Sequence, residues 1–386
     1  MNYIVELSKD SHEHELVNSC ALYIWQDAFK QKTKFFGSIL HKQALEKFLP
    51  NLSINGFNAI TILPRLRGKK MQWIKIYLHE FSTICKIFNE SKKDNVNNIV
   101  FLSITPFALL FAKIYIKFIP IKSKVIFTYH GELQFLVQDK LRLSEQVLLF
   151  LIRVNFSIVM KNIYYVVYGK TIAEKLRALY PKVAPQVISI EHPFVIKDYE
   201  KESQKDLFTI GAFGAISTHK NSHKIADLAE SMHSIDPRLK FKFVGKFIDP
   251  IIFKTDNISV VGGKEFLARQ DYEKQISTAS WLIYLYEDSN YELIASGAFL
   301  DAVLYDKPII CLKNKFFEHI FECYQIGIMV DTIAELPANL DKLFSRKDLD
   351  EFYLICQQNL QRYRSDNQIT NQSALLVSQL SDKIKF

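Results

Sequence analysis

Cysteine is sparse and poorly placed for a covalent framework. Cys20, Cys85, Cys311, Cys323 and Cys356 form no CxxC pair and no histidine-rich metal cluster, and their odd number argues against disulfide pairing, so a reducing compartment fits best. A secretory leader is also missing: the stretch from Met1 to Leu7 turns polar at Ser8 without a basic start or a sustained apolar core, which leads us to expect a cytoplasmic chain beginning at Met1. Long apolar runs are absent too. Ile99–Pro120 is broken by Lys113 and Lys117, and Val147–Met160 by Arg153. Each such charge costs roughly 2.5–3.5 kcal/mol at a bilayer centre, and neither stretch offers the ~20 uninterrupted residues of a span. Both read as buried strand-helix segments. No short repeat or low-complexity tract is present.

What is there suffices for two buried domains: 386 residues, 48% of them hydrophobic, with charges of both signs. The net charge of +8, from 49 Lys and Arg against 41 Asp and Glu, favours anionic ligands or a lipid surface without choosing between them. Short apolar runs alternate with helical stretches. Tyr3–Leu7 is followed by an amphipathic run from His14 to Lys30, and further strands are expected at Ala59–Leu63, Ile99–Ser103, Val125–Tyr129, Tyr164–Tyr168 and Val187–Ile190. Such alternation predicts a parallel sheet covered on both faces. The charged segment Lys197–Asp206 reads as a linker. Beyond it the alternation restarts, with strands expected at Leu207–Phe213, Phe241–Val244, Ile258–Val261, Trp281–Tyr286 and Pro308–Leu312. The fold class is therefore α/β, with a first domain at 1–196, a second at 207–350, and helices over 351–386 that pack back across the linker.

In doubly wound sheets ligands bind beyond the carboxyl ends of the strands, so the loops there carry the search. The stretch from Gly211 through Gly214 and Ser217 to Lys220 and Asn221 reads as a glycine loop entering a helix, with Lys220 a point charge suited to a diphosphate. The strand ending at Tyr286 leads through Tyr291 and Glu292 to Ser296 and Gly297, read as a helix start whose N–H groups and hydroxyl hold phosphate oxygens. Asp301 follows near the start of that helix, where a carboxylate can accept hydrogen bonds from sugar hydroxyls. Gly245 and Gly263 close two further strands.

In the order and content of these motifs, residues 208–330 resemble the nucleotide-sugar domain of the GT-B glycosyltransferases, in particular the family 4 group and bacterial polysaccharide-assembly enzymes. The resemblance implies two Rossmann-like domains facing a central cleft, and a UDP- or GDP-sugar donor in the second. It also implies transfer to a glycan or polyprenyl-linked acceptor in surface polysaccharide synthesis, with no metal or further cofactor. The lack of a DxD motif on a strand-end loop agrees. By the same resemblance, Phe266 lies where the nucleotide base is held. Two departures stand out: Ala215 occupies the position of the family's diphosphate-binding arginine, and Glu292 precedes Asp301 by nine residues where the family spaces two carboxylates by eight. They keep open a non-catalytic sugar-binding subunit or an epimerase on the same fold.

For the acceptor, His12, Glu13 and His14 follow the first strand, and His130 and Glu132 follow another. Imidazole is a suitable base near neutral pH, so His14 and His12 are the first candidates for acceptor activation, with His130 and Glu132 beside the acceptor. His192 reads as a turn before the linker. Lys113, Lys117, Lys122 and Lys124, interleaved with Ile, Tyr and Phe, suggest a face for peripheral contact with the inner membrane. No nucleic-acid partner is expected.

Overall fold

Seven apolar runs of the first half pair side by side as parallel strands, and six of the second half do the same. A computed structural model describes residues 1–10, 14–49, 52–63, 70–139, 141–195, 206–265 and 267–384. By contacts the chain forms two units: Met1–Val195 with Leu293–Ala295 and Asn367–Phe386, and Ile196–Glu292 with Ser296–Asp366.

In the first unit the strands are β1 (Asn2–Glu6), β2 (Thr33–Gly37), β3 (Phe57–Ala59), β4 (Asn98–Ser103), β5 (Lys124–Tyr129), β6 (Ile163–Tyr168) and β7 (Val187–Ile190). Their order across the sheet is β3-β2-β1-β4-β5-β6-β7, so the direction of winding reverses between β1 and β4. Every residue of β4 and β6 is buried, as expected for strands covered on both faces. The covering helices are α1 (Glu15–Phe29), α2 (Ile39–Phe48), α3 (Lys70–Lys93), α4 (Pro106–Phe118), α5 (Leu143–Ser157) and α6 (Lys170–Leu179). Local chemistry starts two of them. Ser38 accepts the His41 N–H at 3.0 Å to cap α2, and Thr105 accepts the Ala108 N–H at 3.1 Å ahead of Pro106 in the first turn of α4.

Three expectations change here. Thr33–Gly37 is an unforeseen strand, and the strand expected at Ala59–Leu63 is instead Phe57–Ala59. Its partner β2 ends at Gly37, which pairs with Ala59 and whose carbonyl accepts the Ile60 N–H at 3.0 Å as the last bond between the two strands. The run Ile99–Pro120 divides into β4 and α4, but Val147–Met160 falls in α5, whose outer side is not buried: Leu143 is 79% and Phe150 64% exposed. Among the described residues no helix is long and apolar enough to cross a membrane.

Lys113, expected on a surface, is buried. Its ammonium donates to the carbonyls of Asn155 and, at 2.9 Å, Ile158, thereby capping the end of α5. Burial pulls its pKa down to about 7. The unfolded chain thus holds more protons than the folded one between about 7 and 10.5, so stability rises with pH across that window and the cost of the buried charge is fully present below it. Lys113→Met is expected to flatten this rise. Its thermal midpoint should exceed that of the wild type near neutral pH by an amount equivalent to about 1 kcal/mol, the freed carbonyls offsetting much of the gain, and the difference should shrink or reverse near pH ~10. A constant difference across the window would remove Lys113 as the titrating group.

The second unit contains β8 (Thr209–Ile216), β9 (Lys240–Phe247), β10 (Ile258–Gly263), β11 (Trp281–Tyr284), β12 (Ile309–Leu312) and β13 (Gly327–Val330) in the order β10-β9-β8-β11-β12-β13. Again the winding reverses, now between β8 and β11. Its helices are α7 (Ser222–Ile235), α8 (Arg269–Ser277), α9 (Asp288–Tyr291), α10 (Phe299–Leu304), α11 (Lys315–Phe321), α12 (Leu336–Phe344) and α13 (Leu349–Asp366). Phe352, Tyr353 and Cys356 of α13 join the core around Trp281. The residues expected as one terminal block, 351–386, therefore divide. Most of α13 completes the second unit, while α14 (Ile369–Leu380) returns to the first. There Leu376 and Leu380 are buried against the core that α1 also covers, and Gln379 bonds both the N–H (3.2 Å) and the carbonyl (2.7 Å) of Ser189 on β7.

Candidate functional site

The expected glycine loop of the second unit is strand. β8 continues through Gly211 and Gly214 to Ile216, and Gly214 pairs in register with Gly245 of β9. Gly245 has φ 138°, and a Cβ there would stand 1.9 Å from the Gly214 carbonyl oxygen, so this glycine serves close strand packing. Gly263, at the end of β10, has no atom within 4 Å of its would-be Cβ. Phe266, like His12 and Glu13, lies outside the described residues.

The loop proper is Ser217–Asn221. Ser217 is buried and its N–H donates to the Ser222 hydroxyl at 3.0 Å, while Thr218 donates its N–H and hydroxyl to Asp249 at 2.7 and 2.8 Å. Asn221 adopts a left-handed conformation (φ 54°) and its amide donates to the Leu285 carbonyl at 2.9 Å and to Glu287 at 3.0 Å. The Thr218 bonds tie the loop to the segment after β9 and the Asn221 bonds tie it to the segment after β11, which holds Lys220 beside the point where the winding reverses. Its ammonium lies 5.6 Å from the centre of the Tyr286 ring and 3.9 Å from the would-be Cβ of Gly214. Among the described residues no carboxylate is within ion-pair distance of it.

Around this cation the structure gathers Tyr272, Asp301, Tyr286, Tyr291 and Ser296. The Tyr272 hydroxyl donates to Asp301 Oδ2 at 2.6 Å and lies 3.8 Å from the would-be Cβ of Gly214. Asp301 is buried, which raises its pKa to about 6 against the opposing Tyr272 hydrogen bond and the charges of Arg269 and Lys220. Tyr286 stacks on Tyr291, centroids 4.1 Å apart and planes within 10°, and Ser296 hydrogen-bonds the Tyr286 hydroxyl. Burial pushes the Tyr291 phenol up to about 12, with Lys220 pulling the other way. The helix expected to begin at Ser296 and Gly297 begins at Phe299 and has only six residues, so its dipole is small. Ser296–Ala298 is a turn in which the Ser296 hydroxyl accepts the Phe299 N–H at 3.3 Å, and Gly297 is exposed. Glu292 ends α9, half-buried.

Two members escaped the sequence reading. Tyr272 stands in none of the motifs read from the sequence, and its partner Asp301 is 29 residues away. Arg269 opens α8, with its guanidinium bonded to Glu273 at 2.6 Å and to the Tyr305 hydroxyl at 3.1 Å. It supplies positive charge that Ala215 does not, and its place three residues before Tyr272 was the available signal.

The first unit carries its own cluster at its own reversal point, beyond β1 and β4. The buried Glu6 carboxylate accepts the N–H groups of Ser8 (2.7 Å) and Lys9 (3.0 Å), the Asn18 amide (2.8 Å) and the hydroxyls of Ser8 and Ser103. Asn18 also meets the buried His41 ring at 3.0 Å. His14 and His130 come together edge to face, centroids 5.4 Å apart, and Tyr168 bridges His130 to His192 at 5.1 and 5.6 Å. His130 Nε2 bonds the Leu102 carbonyl at 2.9 Å, leaving Nδ1 as the acceptor of the neutral ring, and its backbone N–H donates to Glu132 at 3.1 Å. Loss of water around the His14 ring, then the charges of Lys9, His130, His192 and His41, hold its pKa well below the usual imidazole range, although part of the residue faces solvent. His14 is therefore unprotonated at neutral pH. Among the described residues no group of three His, Cys, Asp or Glu side chains is placed to hold a metal.

Two all-parallel units with strand orders of the Rossmann type, each with polar and charged side chains at its reversal point, define the GT-B class of fold, and the chain has that fold. No protein-family model matches the chain, and no curated protein matches it in sequence. Solved structures match along nearly the whole chain. They include Anabaena HepE in complex with UDP and glucose, at a TM-score of 0.64 and 14% identity over 98% of this chain and 99% of that one. A glycosyltransferase from Rickettsia africae matches at 0.64 and 12% over 99% of each chain. A UDP-N-acetylglucosamine 2-epimerase from Listeria monocytogenes, so described provisionally, matches at 0.57 and 11% over 99% and 97%.

Proposed function

We propose that this chain is a glycosyltransferase that moves a sugar from a UDP-linked donor, bound in the second unit, to a glycan or lipid-linked acceptor in bacterial surface polysaccharide synthesis. The observation that carries it is the Lys220, Tyr272 and Asp301 cluster beyond β8 and β11. It joins an unpaired cation, suited to a diphosphate, with a carboxylate suited to sugar hydroxyls, at the point where doubly wound sheets take ligands. The UDP and UDP-glucose complexes of HepE, which has the same fold, favour uridine over guanosine.

In this reading Lys220 and the N–H groups of the Ser296–Ala298 turn meet the negative charge that grows on the leaving diphosphate, and preorganised donors do this most effectively. Arg269 strengthens the local positive field. Asp301, anchored by Tyr272, accepts hydrogen bonds from the sugar, and no metal takes part. His14, unprotonated at neutral pH, accepts the proton of the attacking acceptor hydroxyl, with His130 and Glu132 lining the acceptor side. The enzyme acts in the cytoplasm, against the inner face of the membrane.

The deciding experiment is release of UDP from a panel of UDP- and GDP-sugars with and without acceptor. Donor binding with no transfer to any acceptor would reduce the chain to a sugar-binding subunit, and isomerisation of the sugar with none of it passed to an acceptor would favour the epimerase chemistry named for the Listeria protein. His14→Ala is expected to lower turnover by about a hundredfold or more while leaving UDP affinity unchanged, as removal of a general base does. Turnover within a factor of about three of the wild type would take His14 out of the reaction.

A further inference from the structure

Three neighbouring helices of the first unit are apolar on the side turned away from the sheet. α3 packs on α4 and α4 on α5, and their inner residues, among them Phe88, Leu109 and Ile152, fill the core. Their outer residues are apolar as well. On α3, Trp73, Ile74 and Leu78 are exposed, the last at 61%. On α4 the outward series is Phe107, Phe111, Ile114 and Phe118, spaced as one helical stripe and ending with Phe118 at 75% exposure. On α5 it is Leu143, Val147 and Phe150. Rings join the first two helices, Tyr77 to Phe107 at 4.1 Å and Phe81 to Phe111 at 5.1 Å. A contiguous apolar patch on this scale is not a feature of surfaces that meet only water.

Charge selects the occupant. Residues 64–163, which contain these helices, hold 16 Lys and Arg against 6 Asp and Glu, so the chain's entire positive excess, 49 against 41, lies in this segment. Where α3 and α4 end, just beyond Phe118 and Ile119, a cavity of about 790 Å³ is lined by Lys92, Lys122, Lys124 and Lys383, with Asp382 the sole carboxylate on its wall. None of the four ammonium groups pairs with a carboxylate among the described residues. An apolar face bordered by unpaired lysines is complementary to a surface with an acyl interior and phosphate headgroups.

We infer that the outer face of α3, α4 and α5 seats the protein on an anionic phospholipid bilayer, with the apolar stripes entering the acyl boundary and the lysine-lined cavity receiving a headgroup phosphate. This deepens the lipid-linked branch of the acceptor reading and rests on it. It differs from the surface expected from sequence: Lys113 takes no part, and the helices contribute apolar contact as well as charge.

Flotation with phosphatidylcholine vesicles, with and without a minor fraction of phosphatidylglycerol, tests it on the full chain. Binding to the anionic vesicles is expected, weakened by salt. The triple variant Phe118→Ser, Leu143→Ser, Phe150→Ser, altered only at exposed positions, should partition at least about tenfold more weakly. Lys92→Gln with Lys122→Gln should do so about thirtyfold. Both should bind UDP-sugar as the wild type does. Absence of binding to anionic vesicles, or binding that both variants retain, would overturn the proposal. So would a dimer that the serine variant dissociates in a protein that ignores vesicles, which would assign the face to a second copy. Displacement by inorganic pyrophosphate with no effect of the serine substitutions would likewise overturn it, assigning the cavity to a soluble phosphate. Because UDP-sugar binding is read separately, failure on vesicles leaves the glycosyltransferase reading standing, and loss of sugar transfer leaves the vesicle result standing.

Discussion

Lys220→Ala should weaken UDP-sugar binding by about 10- to 100-fold and slow sugar transfer by more than it weakens binding. The binding figure follows from a charge-assisted hydrogen bond to phosphate, about 1.5–3 kcal/mol. The excess in turnover follows from the leaving group, whose charge grows as the glycosidic bond breaks, so a fixed cation stabilises the transition state more than the bound donor. The loop that holds Lys220 is anchored through Asn221 and Thr218 rather than through the lysine itself, so the variant should fold normally. Calorimetric titration of UDP and of a UDP-sugar, followed by steady-state transfer, separates the two effects. Lys220→Arg should restore affinity for UDP better than it restores turnover, because a guanidinium fork cannot occupy the position of a compact ammonium over Tyr286. Wild-type affinity for UDP in Lys220→Ala would mean that the diphosphate lies elsewhere.

Asp301→Asn should make the protein more stable and far less active. The folded-state pKa of about 6 is above the ordinary 3.8, so between those values the folded chain holds more protons than the unfolded one. Stability contributed by the protonated carboxyl is therefore complete below about 4 and is lost as pH rises through about 6, leaving a cost at neutral pH on the order of 3 kcal/mol. An asparagine carries no charge to bury, and its carbonyl still accepts the Tyr272 hydroxyl. We expect a net gain of roughly 1–2 kcal/mol at neutral pH, after the new amide N–H groups find partners, and no gain near pH ~4. Transfer should fall by about a hundredfold with the sugar's lost acceptor, and in the wild type transfer should rise through pH ~6 as Asp301 ionises. Thermal midpoints and transfer rates measured across the same pH range test both halves. A variant less stable than the wild type at neutral pH would show that the carboxylate is better solvated than its burial implies.

The architecture was legible in sequence because its signal is local. Alternating apolar runs and amphipathic stretches marked β1, β4, β5 and β6 nearly to the residue, since fully buried strands must be written in apolar residues. The strand Thr33–Gly37 was illegible: it is five residues long and leads with Thr33 and Lys34, which are only partly covered. Gly327–Val330, four residues at the sheet edge, escaped for a similar reason. The extension of β8 past Phe213, through Gly214 to Ile216, was hidden because glycine signals a turn to the eye, whereas here its missing side chain leaves room beside Tyr272 and Lys220. Of the site, Lys220, Ser296 and Asp301 lie in recognisable motifs. The bond that makes Asp301 distinctive comes from Tyr272 on another helix, and no spacing rule reports a contact made by folding.

The return of α14 to the first unit bears on how the polypeptide is made. A ribosome finishes β1 to β7 early, yet Leu376 and Leu380, and the side chain of Gln379 that bonds the outer strand β7, emerge only after the whole of the second unit. During that interval the α1 face of the first sheet stands open, with an unsatisfied strand edge beside it. The second unit, by contrast, has its own core by the time α13 appears. The first unit therefore cannot complete the α1 side of its sheet until α14 has been made, and that helix shields a surface exposed since the first strands left the ribosome.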